Sequence, residues 1–344
     1  MKKSTLLLFW VLCSLYASPQ LFKACLVAFY NCENLYDTID NPLINDEDFT
    51  AQGIKKYTGT IYRHKLEQLA TVFSRIGTDL VPQGPAIIGV AEIENDTVLS
   101  DLCKHPLIRN RRYRVIHFDS PDPRGIDVAL LYHPAFFLPD TAIPISVQLP
   151  GNSKQAYTTR DILYVKGWLA GDPVHIYVNH WPSRRGGQER SDPAREAAAH
   201  TLKKHADSIR LQEPDARLIV MGDFNDDPDS PSIREGLDCS PDANKTGPMQ
   251  FFNPWTHLFR SGTGTLANQD SWGLFDQILL SAAWISNPGK GWFFQKQYIY
   301  NQPFLRENQG RYRGYPMRTW DGNNYRGGFS DHFPTYLLLL KRIK

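Results

Sequence analysis

The chain has 344 residues, 42% hydrophobic and 22% charged, the proportions of an ordinary globular protein with a large core. Its formal net charge is +2, and removing a leader that carries Lys2 and Lys3 would bring it to about zero. So weak an overall field argues against a strong nonspecific nucleic-acid binder, although it leaves room for a nuclease whose attraction to phosphate is local.

The first element is "MKKSTLLLFWVLCSLYA", a short basic start, an apolar stretch and then small residues. This is the pattern of an export signal, with cleavage expected somewhere between about residues 17 and 24. Lipid attachment at Cys13 or Cys25 is the rival reading, but Leu12, Phe22 and Lys23 fit it poorly. No later stretch is long and apolar enough to span a membrane. Short apolar runs then recur in chain order at 26–31, 86–93, 113–118, 126–132, 162–169, 175–180, 218–223, 276–281 and 335–340, and each reads as a strand. Two stretches carry helical periodicity. In 61–77, Leu66, Leu69, Phe73 and Ile76 share a face, and 192–211 opens on Asp192-Pro193, an N-cap and first-turn pair. Strands with interspersed helices predict packed sheets covered by helices, and the lack of a linker predicts one domain over 25–344. Cys25, Cys32, Cys103 and Cys239 have no metal-like spacing. They read as small buried hydrophobes, with one disulfide conceivable in an oxidising compartment.

Polar residues gather where these strands end. Asn31 and Glu33 follow the first run, and Glu92 and Glu94 the second. His180, Arg184 and Arg185 follow "YVNH"; Asp223 and Asn225 stand in "MGDFN"; Asp276 opens "DQILL"; Asp331 and His332 close "GGFSDH". One such strand end is a turn. Six of them point to a metal or phosphate site, because carboxylates near a core are costly unless paired or metal-bound. Asp226 and Asp227 read as turn and capping residues.

The ordered series N-x-E, a Glu after a strand, N-H, G-D-x-N, D-Q and S-D-H resembles the endonuclease/exonuclease/phosphatase superfamily, the deoxyribonuclease I-like proteins, from Asn31 to His332. The resemblance implies an α/β (α+β) fold: a four-layer α/β/β/α sandwich of two packed mixed sheets with helices outside. It also implies divalent-metal hydrolysis of a phosphoester. Oxygen donors without thiolates suit Mg²⁺, or Mn²⁺ or Ca²⁺. Carried onto this chain, the metal ligands are Glu92, Asn31 and Asp331. Asp223 activates water, Asn225 holds a phosphate oxygen, and His332 contacts the phosphate with Asp276 fixing its tautomer. His180 protonates the leaving oxygen, with Asp127 as its partner.

The flanks bear on the substrate. Arg184 and Arg185 sit beside two glycines whose amides can approach a phosphate. Residues 310–332 interleave Arg311, Arg313, Arg318 and Arg326 with Tyr312, Tyr315, Trp320 and Tyr325. Arginines among aromatic rings suit a nucleic-acid strand, although the same mix suits a sugar phosphate or the packing of a loop. The "RNRRYR" run at 109–114 reads as solvated surface. These features favour an exported nuclease or phosphodiesterase. A phosphomonoesterase or a lipid or inositol phosphate phosphodiesterase on the same site is the alternative, and a noncatalytic binding module the remote one. Nothing demands stable membrane insertion, an obligate protein partner or an oligomer.

Overall fold

The long first strand shows how the layers arise. Side chains alternate faces along a strand. Cys25, Val27 and Phe29 therefore enter one hydrophobic cluster, while Leu26, Ala28, Tyr30 and Cys32 enter another on the opposite face. The computed structural model describes residues 21–150, 158–285 and 291–343.

In chain order the strands are β1 Phe22–Leu35, β2 Ile87–Ile93, β3 Arg114–His117, β4 Asp127–Tyr132, β5 Phe137–Ile145 and β6 Ile162–Leu169. They continue with β7 Asp172–His180, β8 Leu218–Asp223, β9 Cys239–Ser240, β10 Phe251–Phe252, β11 Leu266–Asn268 and β12 Ser271–Gly273. The last are β13 Asp276–Ser281, β14 Trp292–Ile299, β15 Trp320–Asp321, β16 Asn324–Tyr325 and β17 Thr335–Arg342. The helices are α1 Gly59–Arg75, α2 Asp96–Lys104, α3 Gln188–Gln212 and the short α4 Thr256–Arg260.

Six strands form one mixed sheet in the order β14-β17-β1-β2-β4-β3, and seven form a second in the order β5-β6-β7-β8-β13-β10-β9. The inner faces meet in a core that includes Phe29, Ile87, Leu130, Val178 and Met221. Gly89 lets the sheets approach closely, since a Cβ there would lie 2.4 Å from Met221 Sδ. The outer face of the first sheet receives Leu69, Phe73 and Ile76 from the end of α1, and Val98, Leu99 and Leu102 from α2. On the outer face of the second sheet α3 packs Ala198, Leu202 and Ala206, and His205 Nδ1 lies 2.8 Å from Tyr177 Oη. This is the expected α/β/β/α sandwich.

The structure departs from the sequence reading in a few places. β5 was not expected, because Pro139 and Pro144 interrupt it; it lies at a sheet edge, where a missing N–H is tolerated. Helix α2 is too short to show periodicity, and Asn95 caps it by accepting from Val98 N. Helix α3 starts at Gln188 rather than at Asp192-Pro193, which places Pro193 in its second turn, where the ring removes the backbone bond to the Glu189 carbonyl. Most of the expected leader, residues 1–20 with Cys13, lies outside the described residues. Phe22, Lys23 and Ala24 pair with Arg342, Lys341 and Leu340, so cleavage after residue 24 would remove paired strand. Cys25 is buried between the sheets, and burial pushes its thiol up to about 12. The four described cysteines are free. Among the described residues no helix is long and apolar enough to cross a membrane.

Gly222 makes room beside Asp223. A Cβ there would lie 2.4 Å from the backbone oxygen of Asn179 on the adjacent strand, and backbone cannot yield as a side-chain tip can. Gly222→Ala is therefore expected to lower stability by about 1–3 kcal/mol, the usual cost of overpacking, as read from urea unfolding. An unchanged midpoint would show that the strand ends are looser than this geometry implies.

Candidate active site

The strand register assembles the site. His180 on β7 lies opposite Asp223 on β8, and Asp223 lies opposite Asp276 on β13. Residues opposite one another share a face, so the three form a row across the second sheet on the side facing the first. From the first sheet, Asn31 projects toward this row at the corresponding place on β1. Its neighbour Glu92 sits where the β1–β2 and β2–β4 pairings both slip, with φ +59°. This irregularity turns Glu92 out of the alternation that would otherwise point it toward the helical layer. Glu33, Asn34 and Asn225 also have positive φ, 47°, 55° and 51°. Such conformations are unfavourable for non-glycine residues and persist only when surrounding contacts hold them. Those contacts are present: Asn34 N donates to Glu92 Oε2 (3.0 Å), Glu33 N to Asn31 Oδ1 (2.9 Å) and Asn225 N to Asp223 Oδ1 (2.9 Å).

The side chains converge on one spot. Asn31 Nδ2 donates to Asp223 Oδ2 (3.0 Å) and Glu92 Oε1 (3.2 Å), joining the two sheets. His180 Nε2 lies 3.7 Å from both carboxylates. His332 Nδ1 is 2.7 Å from Asp276 Oδ2, which also accepts from Thr265 Oγ1, and His332 Nε2 is 3.9 Å from Asp223 Oδ2. Ser330 fixes this histidine's loop, donating to Asn31 O (2.8 Å) and accepting from His332 N (3.1 Å).

Burial and neighbouring charge separate the protonation states. Burial pushes Asp223 up to about 7, with His332 pulling against it and Asp276 adding to it. Burial alone would lower His332, but the carboxylates of Asp276, Asp223 and Asp331 overcome it and hold the ring well above the usual histidine range. His180 goes the other way. Burial, then Arg160 and Arg124, hold it well below that range, and its buried Nδ1 has no hydrogen-bond partner.

Glu92, His180 and Asp223 can each bring one ligand atom within 4.8 Å of the others. Two carboxylates and an imidazole, without a thiol, suit a hard or borderline divalent cation. Glu92 is the member of this group open to solvent, so a cation can enter from that side. Glu92 fits a metal ligand, with Asp223 and His180 close beside it. Two of the expected ligands are placed differently. Asn31 uses its amide oxygen on Glu33 N and turns its NH₂ toward the carboxylates, so here it bridges them rather than offering an oxygen. Asp331 lies beside His332, Oδ1 3.9 Å from Nε2, outside the Glu92 group.

Asp127 does not meet His180. It lies 3.0 Å from His117 Nε2 and accepts from Ser120 N, because β3 and not β7 is its neighbour in the sheet. Arg184 donates to Asn225 O, pairs with Asp226 and Asp227, and covers the Phe275 ring, which leaves little of it for a phosphate. Arg185 and Arg326 are exposed. Asn225 is buried and gives Nδ2 to Trp181 O. Asp226 is more than a turn residue: it is buried between Arg184 and Arg195 and accepts from Ser232 Oγ.

Glu33 and Glu94 are both buried and both pushed up to about 7 by burial, Glu33 further by Asp331. Glu33 accepts from Thr319 N (2.6 Å) and Trp320 N (3.0 Å). Sequence reasoning missed Arg160, which grips the carbonyls of His180 and Trp181, and Lys65, fully buried on α1 and donating to Thr319 Oγ1 and Phe329 O. It also missed the support roles of Thr265 and Ser330. None of the four carries a spacing signal, although Ser330 stands inside S-D-H.

Among solved structures, an endonuclease/exonuclease/phosphatase family protein from Bacteroides thetaiotaomicron superposes with TM-score 0.58 at 16% identity, over 94% of this chain and 100% of that one. The mannosyl-6-phosphatase of the same organism gives 0.54 at 16%, over 92% and 99%. D. rerio TDP2 complexed with a single-strand DNA product gives 0.51 at 13%, over 92% and 98%. At these identities the likeness is one of fold. No curated protein matches the sequence. The family model of the Endonuclease/Exonuclease/phosphatase family matches residues 26–341, and the chain belongs to this family of phosphoester hydrolases.

Proposed function

We propose that the site hydrolyses a phosphoester by attack of water, with a divalent cation, Mg²⁺ or in its place Mn²⁺ or Ca²⁺, held at Glu92 beside Asn31. The observation that carries this reading is the row His180–Asp223–Asp276 facing Glu92 and Asn31 across the end of the sandwich. When bound, the cation offsets phosphate charge and acidifies water. Asp223 takes the proton from the attacking water; a carboxylate raised to about 7 is a base matched to neutral pH. His332, kept protonated by Asp276, donates Nε2–H to a phosphoryl oxygen and stabilises the charge that builds there. The lowered pKa of His180 argues against it as a proton source. As a neutral imidazole it donates a hydrogen bond to the leaving oxygen, which takes its proton from solvent water as the ester bond breaks.

Two features of the flanks bear on the expected nucleic-acid substrate. Arg184 is occupied by Asp226 and Asp227, and Arg311, Arg318, Arg326, Tyr312 and Tyr315 line a small cavity together with carboxylates, where a chain of phosphates would be repelled. Both favour the ester of a small polar alcohol over a long strand. The proposal keeps one domain and export, the latter on the strength of the leader pattern alone.

The purified mature chain should hydrolyse p-nitrophenyl phosphate or its bis ester with Mg²⁺, lose the activity in EDTA and regain it on adding the metal. Asp223→Asn should lower kcat by at least about a hundredfold, the contribution of a positioned base, without changing the circular dichroism spectrum. Retention of most activity by that variant would remove Asp223 from the mechanism. Circular DNA, assayed in parallel, reports nicking if a strand is accepted.

A pH profile tests the histidine. His332 acts protonated, so activity falls as pH rises through its raised pKa. Asp276→Asn takes away the nearest carboxylate that raises it, and the alkaline limb of kcat should move to lower pH. An unmoved limb would mean that His332 does not govern it.

A further inference from the structure

A concavity lies between two segments that are tied to the active site. The β11–β12 hairpin and the excursion from Glu307 to Arg326 enclose a cavity of about 290 Å³. Its walls are bonded to the active site. Thr265, which opens the hairpin, donates to Asp276 and accepts at its carbonyl from Phe333 N (2.7 Å), next to His332. Trp272 in the hairpin stacks on Phe333 (6.2 Å, 16° between planes) and meets Tyr315 edge-on. The opposite wall hangs on Glu33, which holds Thr319 N and Trp320 N, while Thr319 O accepts from Arg326 N (2.8 Å). The hairpin and the excursion are each one hydrogen bond away from residues at the active site, Asp276 and Glu33.

The lining specifies its chemistry. Arg311, Arg318 and Arg326 face Asp270, Glu307 and Asp321, so the cavity carries equal numbers of both charges. Among the described residues, Arg318, Arg326, Glu307 and Asp321 have no side-chain hydrogen bond or ion pair, although Arg318 and Glu307 are half-buried. Unpaired donors and acceptors held across a gap call for a ligand that both gives and takes hydrogen bonds. A hydroxyl group does both, giving to a carboxylate and accepting from a guanidinium. A run of phosphates would meet the carboxylates. The volume, at the lower end of the range for ligand pockets, suits one substituted ring.

We propose that this cavity binds the sugar of a sugar phosphate, with Glu307 and Arg318 recognising its hydroxyls and the phosphate lying at His332. The proposal rests on the phosphoester-hydrolase reading above and names its substrate class. The test compares kcat/KM for glucose 6-phosphate and mannose 6-phosphate with that for p-nitrophenyl phosphate, and runs circular DNA in parallel, using the full mature chain and its Glu307→Gln and Arg318→Gln variants. The expected result is that at least one sugar phosphate is preferred over p-nitrophenyl phosphate. Each variant should then lose about tenfold of that preference through KM, as for one charged hydrogen bond. If either variant fails to fold, Asp321→Asn takes its place. Absence of a preference, variants that slow both substrates alike, or DNA as the better substrate would overturn the sugar subsite while leaving hydrolysis established. Failure of the wild-type chain on every phosphoester would instead overturn the reading beneath it.

Discussion

The amide of Asn31 sits at the point on which the site depends. Its NH₂ lies between Asp223 of one sheet and Glu92 of the other, at 3.0 and 3.2 Å. Two carboxylates brought together near a core repel each other and lose hydration, a cost that needs a donor or a cation between them. The amide supplies that contact and also ties the two sheets together at this end. The positive φ of Glu92, Glu33 and Asn225 follows from the same demand, since each backbone is bent to deliver or support a polar group at the junction.

Around this junction the chain separates the chemistry of similar residues by environment. His332 and His180 are both buried and both face Asp223, yet one is raised and the other lowered. The difference is a carboxylate at 2.7 Å from the first and two guanidinium groups near the second. A charged and a neutral imidazole therefore face the same carboxylate, as placement of neighbouring charge allows.

The loop that carries His332 is held by buried polar groups. Ser330 reaches the carbonyl of Asn31, Glu33 takes two backbone amides, and Lys65 reaches in from α1 to Thr319 and Phe329. Unpaired, each of these groups would be expensive; paired with loop backbone they give a long irregular segment one conformation. The same anchoring shapes the cavity between this segment and the β11–β12 hairpin.

Much of this was legible in the sequence. Alternating apolar runs announce strands, and a polar group at the end of each is visible because turn chemistry alone does not explain six repetitions. Asp223, Asp276, His332, His180, Glu92 and Asn31 stand out as candidates in that way, the family resemblance orders them, and the structure brings their side chains together. The partnerships were not legible. Asp127 belongs to His117 and not to His180, because sheet order, which local pattern does not encode, makes β3 its neighbour. Arg184 looked like a phosphate ligand and instead clamps Asp226 and Asp227, and Lys65, lone on a helix, gave no sign that it would be buried. Residue type and strand periodicity are local properties, so the sequence by itself determined which groups stand at strand ends and what chemistry they offer. Which of them touch, and so which carry a proton and which merely hold the fold, was decided by register and sheet packing between segments far apart in the chain.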